Sequence, residues 1–194
     1  MTITETRELM PPEREQEDPR GNGWFVTRSG NKFFPLAPKP EEILIDDIAF
    51  ALSNISRFGG HVEFYSVGEH CCHIYDACPP HLKFLGLMHD SPEAYLGDVV
   101  RPLKHQLPDY QQAEHNLWLI IANKFHLSPD QSPIKPFDNR AMLTERNQLM
   151  EAGPNTRNWY WDHAGLKPLD FKVGNWPPMV TRMEFMKRYR ESVG

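Results

Sequence analysis

Three stretches of this chain carry apolar residues at helical spacing, and each sets a histidine or a carboxylate inside its apolar stripe. Over about 66–78 the stripe is Val67, Cys71, Ile74 and Cys78, with His70 among them. Over about 81–96, Leu82, Leu85 and His89 share a face with Glu93 and Leu96, and Asp90 adjoins His89. Over about 137–151 the stripe is Asp138, Ala141, Met142, Glu145 and Leu149. A titratable group on a core face is costly unless it is paired or hydrogen-bonded. A fold that tolerates three such faces has to bring the helices together so that their polar groups meet.

The rest of the chain fits a helical body. Ile43, Ile45, Ile48, Phe50, Ala51, Leu52 and Ile55 predict a buried helix over about 41–55, stopped by Gly59 and Gly60. Ser66 is placed to cap the helix that follows. Pro79-Pro80 separates that helix from the next, and Pro92 interrupts the 81–96 stretch just after His89-Asp90. Pro92 is expected to kink or restart that helix, with Ser91 as a candidate cap and Pro92 at its first position. Further helices are expected over about 110–125 and 179–191. WFVTRSGNKFFPL, residues 24–36, reads as a small hairpin around R-S-G-N. Residues 1–22 are expected to form a flexible tail, and 23–194 a single domain. Residues 154–178, with Trp159, Tyr160, Trp161 and Trp176, show no period and read as a lid or an arm packed on the body. The fold class is therefore all-α, a mainly helical bundle, with a small N-terminal β-hairpin.

Gross composition narrows the function. The net charge is −5 and no basic block stands out, which disfavours gripping a nucleic acid polymer. No run of about 18 apolar residues is present, so no membrane span is expected. The first twenty residues lack the apolar core of a secretory signal. Of three cysteines, Cys71 and Cys72 are adjacent, a poor disulfide framework that suggests the cytosol and ordinary core packing.

His70, His89, Asp90 and Asp138 together make a sensible set of ligands for one divalent transition metal ion. Each alone has an ordinary structural reading, and the combination carries the argument. Glu93 lies four residues after His89 and three after Asp90, on their side of the helix. It is placed to orient a water whose pKa a metal lowers, and to move its protons. His73 has a weaker claim, because it points away from the apolar stripe. His81, His105, His115, His126 and His163 read as surface residues.

YSVGEH (65–70), LMHDSPEAYLGD (87–98), RPLK (101–104) and FDNRAMLTE (137–145), extended back through FFPLAPKPEEILIDDIAFALSNISRFGGH (33–61), resemble the HD-domain phosphohydrolases. The similarity is to the branch of bacterial 5′-deoxynucleotidases and related phage nucleotide hydrolases, and it covers roughly 33–150. It implies an HD-domain helical bundle. His70, His89, Asp90 and Asp138 would hold Co, Zn or Mn, with Mg also admissible. Glu93 would act on the attacking water or the leaving oxygen, and Asp98 would support the site or contact the sugar. Arg57 and Lys104 would bind phosphate. Phe58, where this branch often has tryptophan, would stack on the base or close over the sugar. Arg101, His105 and Arg140 are further candidates for the outer phosphates of a longer substrate.

The activity implied is attack of water at the α-phosphorus of a (deoxy)nucleoside 5′-phosphate. The product is phosphate from a substrate such as dAMP, or whole triphosphate from one such as dATP. The implied setting is the cytoplasm of a bacterial or phage-infected cell, as a homo-oligomer. Two alternatives stay open, a metal-dependent phosphodiesterase and a non-catalytic nucleotide-binding protein.

Overall fold

The computed structural model describes residues 18–151 and 165–194. The tail expected over 1–22 falls outside it as far as residue 17, as do Trp159, Tyr160, Trp161 and His163. The described chain is mainly helical with one small two-stranded antiparallel sheet.

The sheet pairs β1 (Phe25–Val26) with β2 (Lys32–Phe33), with Phe25 opposite Phe33 and Val26 opposite Lys32. Asp47, buried in the first turn of the first helix, ties the hairpin turn to the body. Its carboxylate accepts from the Ser29 amide at 2.9 Å and the Ser29 hydroxyl at 2.7 Å. Phe33 is fully buried and stacks on Tyr95 at 4.1 Å between ring centres. Before the hairpin, Arg20 folds back to pair with Asp18 at 2.8 Å and Glu42 at 2.6 Å.

The first helix, α1 (Ile45–Asn54), buries Ile48, Ala49, Leu52 and Ser53. The second, α2 (Val67–Ala77), starts at the expected cap, where Ser66 Oγ accepts from the Glu69 amide at 3.1 Å. Every residue from Val67 to Tyr75 is buried, so α2 has no solvent face over two turns. It packs against α1, α3 (Lys83–Met88), α7 (Lys135–Leu149) and α8 (Pro178–Val193). The expectation for His73 is corrected by this surround. It is 8% exposed and stacks on Phe171 at 4.1 Å, with Nε2 3.4 Å from Glu69 Oε1.

Glu69 is itself fully buried and accepts from the backbone amides of Gly174 at 2.6 Å and Trp176 at 2.7 Å. Gln148 holds the same arm through the Phe171 carbonyl and the Val173 amide. The described part of the irregular C-terminal segment, 165–177, is thus an arm packed on α2 and α7.

Close packing around α2 makes Gly68 irreplaceable. A Cβ there would lie 2.8 Å from Thr181 Cγ2 and 3.2 Å from the backbone of Leu52 and Ser53. Gly68→Ala is therefore expected to destabilise the fold by about 1–3 kcal/mol, since α1 and α8 must both shift. Urea unfolding would show a lower midpoint at unchanged slope.

The 81–96 stretch is broken, as Pro92 predicts. The helix α3 ends at Met88, and α4 (Glu93–Leu96) begins after a four-residue passage. His89 and Asp90 sit in that passage rather than inside a helix. His89 and Pro92 keep helical dihedrals, but the amides of Ser91, Glu93 and Ala94 bond three residues back instead of four. The expected Ser91 side-chain cap is not made, and Ser91 Oγ has no partner among the described residues.

Beyond α4 come α5 (Arg101–Lys104), α6 (Pro108–Lys124), α7 and α8. His81, His105, His115 and His126 are exposed, as expected. Among the described residues no helix is long and apolar enough to cross a membrane.

Candidate metal centre

Three elements converge on one buried cluster: α2 brings His70, the passage after α3 brings His89 and Asp90, and the first turn of α7 brings Asp138. His70 Nε2 lies 3.3 Å from Asp138 Oδ1 and 3.6 Å from Asp90 Oδ2. His89 Nε2 lies 3.2 Å from Asp90 Oδ2. One ligand atom from each of His70, His89 and Asp138 lies within 4.8 Å of the others, a group that could hold a metal ion.

The other ring nitrogens fix the tautomers. His70 Nδ1 is 2.5 Å from Glu145 Oε1, and His89 Nδ1 is 2.8 Å from the Gly86 carbonyl oxygen. Both acceptors require an N–H at Nδ1, which leaves the lone pair of the neutral ring on Nε2. Both Nε2 atoms are buried and have no hydrogen-bond partner among the described residues. Buried polar atoms are rarely left so. A metal ion would satisfy both, and a histidine held at its far nitrogen by a carboxylate or carbonyl is how proteins present this ligand.

Glu145, seven residues after Asp138 on the same stripe, has no role assigned from sequence. It is fully buried and holds three groups: His70, the Tyr65 hydroxyl at 2.9 Å and Arg57 Nη2 at 3.1 Å. Its place on the stripe was a readable signal. Arg57 Nη1 lies 3.7 Å from Asp90 Oδ2, so the guanidinium faces the cluster. Phe58 follows with φ 57, a left-handed backbone that a non-glycine residue adopts only under strain. The Arg57 guanidinium lies 5.5 Å from the centre of its ring.

Glu93 is buried beside the cluster. Its Oε1 is 3.4 Å from Lys104 Nζ, and its Oε2 has no partner among the described residues. Lys104 is also held by Glu114 at 2.7 Å. Arg101 Nη2 is 3.5 Å from Asp138 Oδ2. Of the other cations proposed for outer phosphates, His105 is exposed and Arg140 Nε donates to the Lys167 carbonyl at 2.9 Å. The latter bond commits Arg140 to the arm.

Charges in this small volume push one another strongly. Burial opposes a charge on His89, but Asp90 outweighs it and raises the imidazole to about 9. Burial and Arg57 oppose charge on His70, and Glu145 and Asp138 overcome them. Burial alone would raise Asp138 and Glu145. The paired His70 brings Asp138 to about 2, and Arg57 with His70 brings Glu145 to about 2. Glu93 moves the other way: burial, then the charges of Asp90 and Asp98, hold it well above the usual carboxylate range. Burial also raises Asp98. The site thus combines carboxylates held low by neighbouring cations with others raised by burial and by like charge.

A pH dependence follows. His89 is protonated near neutral pH in the metal-free chain, and a metal ion must expel that proton. Apparent affinity should rise with pH until about 9, by roughly tenfold per unit for each proton displaced. Calorimetry in buffers of different ionisation enthalpy checks this, and buffer-independent heats would contradict it. Without metal the sign reverses for stability: the His89 contribution is complete below 6.5 and is lost as pH rises through about 9.

Fold and cluster together define a mainly helical protein with a candidate histidine–carboxylate metal centre. No protein-family model matches the chain. It is 42% identical over 128 residues to the uncharacterized protein YfdR of Escherichia coli (strain K12), covering 65% of this chain and 72% of that one. The chain belongs to the family of YfdR. An uncharacterized protein of Rhodobacter capsulatus is 28% identical over 142 residues, with 65% and 72% of the two chains covered.

Proposed function

We propose that this protein is a metal-dependent hydrolase of (deoxy)nucleoside 5′-phosphates of the HD-domain phosphohydrolase type. The observation that carries the reading is the pair of buried histidines with tied Nδ1 atoms and unpartnered Nε2 atoms, facing Asp90 and Asp138. His70, His89, Asp90 and Asp138 would hold a divalent ion, Co, Zn or Mn. Such an ion, when bound, acidifies water and neutralises phosphoryl oxygen.

The chain's own groups supply the rest. Glu93, buried beside the cluster with its carboxyl raised by burial and by the charges of Asp90 and Asp98, exchanges protons with the attacking water and the leaving oxygen. The break between Met88 and Glu93 sets its direction independently of His89 and Asp90. Arg57 directs a guanidinium at the cluster, and Lys104 adds a second cation beside Glu93. Both suit a phosphate ester gaining charge in the transition state. Phe58, partly exposed next to Arg57, offers a face to the base or sugar. Asp98, whose charge raises Glu93, would support the site or contact the sugar.

The reading places the protein in the cytoplasm of a bacterial or phage-infected cell, with no polymeric nucleic acid partner. Met179 and Met183 on α8, 73% and 64% exposed, support a homo-oligomer.

A metal-by-nucleotide panel, with products resolved as phosphate, pyrophosphate or triphosphate, tests the proposal. Release of phosphate from dAMP or triphosphate from dATP is expected with Co2+, Mn2+ or Zn2+. Metal-loaded protein that releases neither from any common nucleotide would establish a binding protein instead.

A further inference from the structure

Cys71 follows His70 in α2, yet its thiol belongs to a second grouping of the same cluster. Its Sγ, a ring nitrogen of His89 and a carboxylate oxygen of Asp90 all lie within 4.8 Å of one another. Cys71 is fully buried, and His89, 9% exposed, carries the Nε2 atom without a hydrogen-bond partner, 3.2 Å from Asp90 Oδ2. Cys72 and Cys78 are buried too and belong to neither grouping. Two overlapping triples therefore share His89: one of nitrogen and oxygen with His70 and Asp138, the other with a sulfur.

The two triples differ in what they attract. Imidazole and carboxylate suit Mn2+, Co2+ and Zn2+, whereas a thiolate favours the most thiophilic ions, such as Cd2+. We propose that Cys71, His89 and Asp90 form a second, overlapping site for thiophilic divalent cations, which cannot be filled together with the His70–His89–Asp138 position. Binding breaks the Cys71 S–H bond, sends its proton to solvent and gives the sulfur electron pair to the ion, with no oxidant or reductant needed. A thiophilic ion so held takes His89 away from the first position and blocks the centre. The inference rests on the metal part of the proposed function and not on its nucleotide part.

Cd2+ added to the metal-free, full-length protein is the test. One equivalent should produce a sulfur-to-cadmium charge-transfer band in the ultraviolet. Cys71→Ser and Cys71→Ala should remove the band and weaken Cd2+ binding by about 10-fold or more. Cys72→Ser, Cys78→Ser and Asp138→Asn should keep it. A band of parent strength in Cys71→Ser overturns the proposal, as does its loss in Cys72→Ser or Cys78→Ser alone. The parent chain also decides the matter without any variant, because saturation with Cd2+ without a band, or no Cd2+ binding by calorimetry, overturns it. Nucleotide hydrolysis with Mn2+ and no sulfur band would remove this inference and leave the function standing. A band with no hydrolysis under any metal would do the reverse.

Discussion

Glu145→Gln is expected to weaken Mn2+ or Co2+ binding by about 10- to 100-fold, although Glu145 is not among the proposed ligands. The side chain keeps its volume, so the effect is electrostatic. Glu145 Oε1 accepts a hydrogen bond from His70 Nδ1–H at 2.5 Å and thereby keeps Nε2 free for a metal. An amide can present its NH2 group to the same nitrogen, which would favour the other tautomer and spoil the ligand. Arg57, 3.1 Å from Glu145, loses its nearest counter-charge at the same time. Glu145→Ala goes further and leaves the Arg57 guanidinium with only the more distant Asp90 as counter-charge, at a cost of about 3–5 kcal/mol. Metal titration by calorimetry and urea unfolding separate the two effects. Parent-like metal affinity in Glu145→Gln would show that His70 does not need its carboxylate to serve as a ligand.

The second large effect is kinetic. Glu93→Ala should retain the metal with affinity within a few-fold of the parent and lose about 10²- to 10⁴-fold in turnover of dAMP or dATP. The separation is expected because Glu93 lies in α4, beyond the passage that carries His89 and Asp90, and neither metal-capable triple includes it. Glu93→Gln is the sharper variant, since it keeps hydrogen bonding and removes only proton exchange. Turnover at the parent rate in either would remove Glu93 from the chemistry. His89→Ala contrasts with both, losing metal and turnover together.

The helical pattern was legible where one face alone is buried. Ser66 marks the start of α2, and Pro92 marks the break that separates α3 from α4. The stripe argument picked out His70, His89 and Asp138, which do meet in the structure, although His89 stands in the passage after α3 rather than on a helix face. It failed at His73, because periodicity reports the preferred inward face and not what covers the opposite one. That cover comes from residues 165–177, about a hundred positions further along, and no local pattern announces it. Glu69 was lost for the same reason, since its donors are the amides of Gly174 and Trp176. Glu145 was readable as a stripe member, but a carboxylate that holds a ligand looks in sequence like any other helical glutamate. Cys71 passed as a small core residue because nothing local tells that its sulfur faces His89.

The last helix has a consequence for how the chain comes into being. α8 packs against α1, α2 and α3, all of which lie more than 85 residues upstream. Every residue of the candidate metal centre, from Arg57 to Glu145, leaves the ribosome before α8 does. Until Phe185 and Thr181 arrive, the inner faces of those helices remain open to water. The nascent chain therefore holds the side chains of the candidate metal centre before it holds a closed core. Any ion that the centre binds can therefore meet its side chains before α8 closes the core.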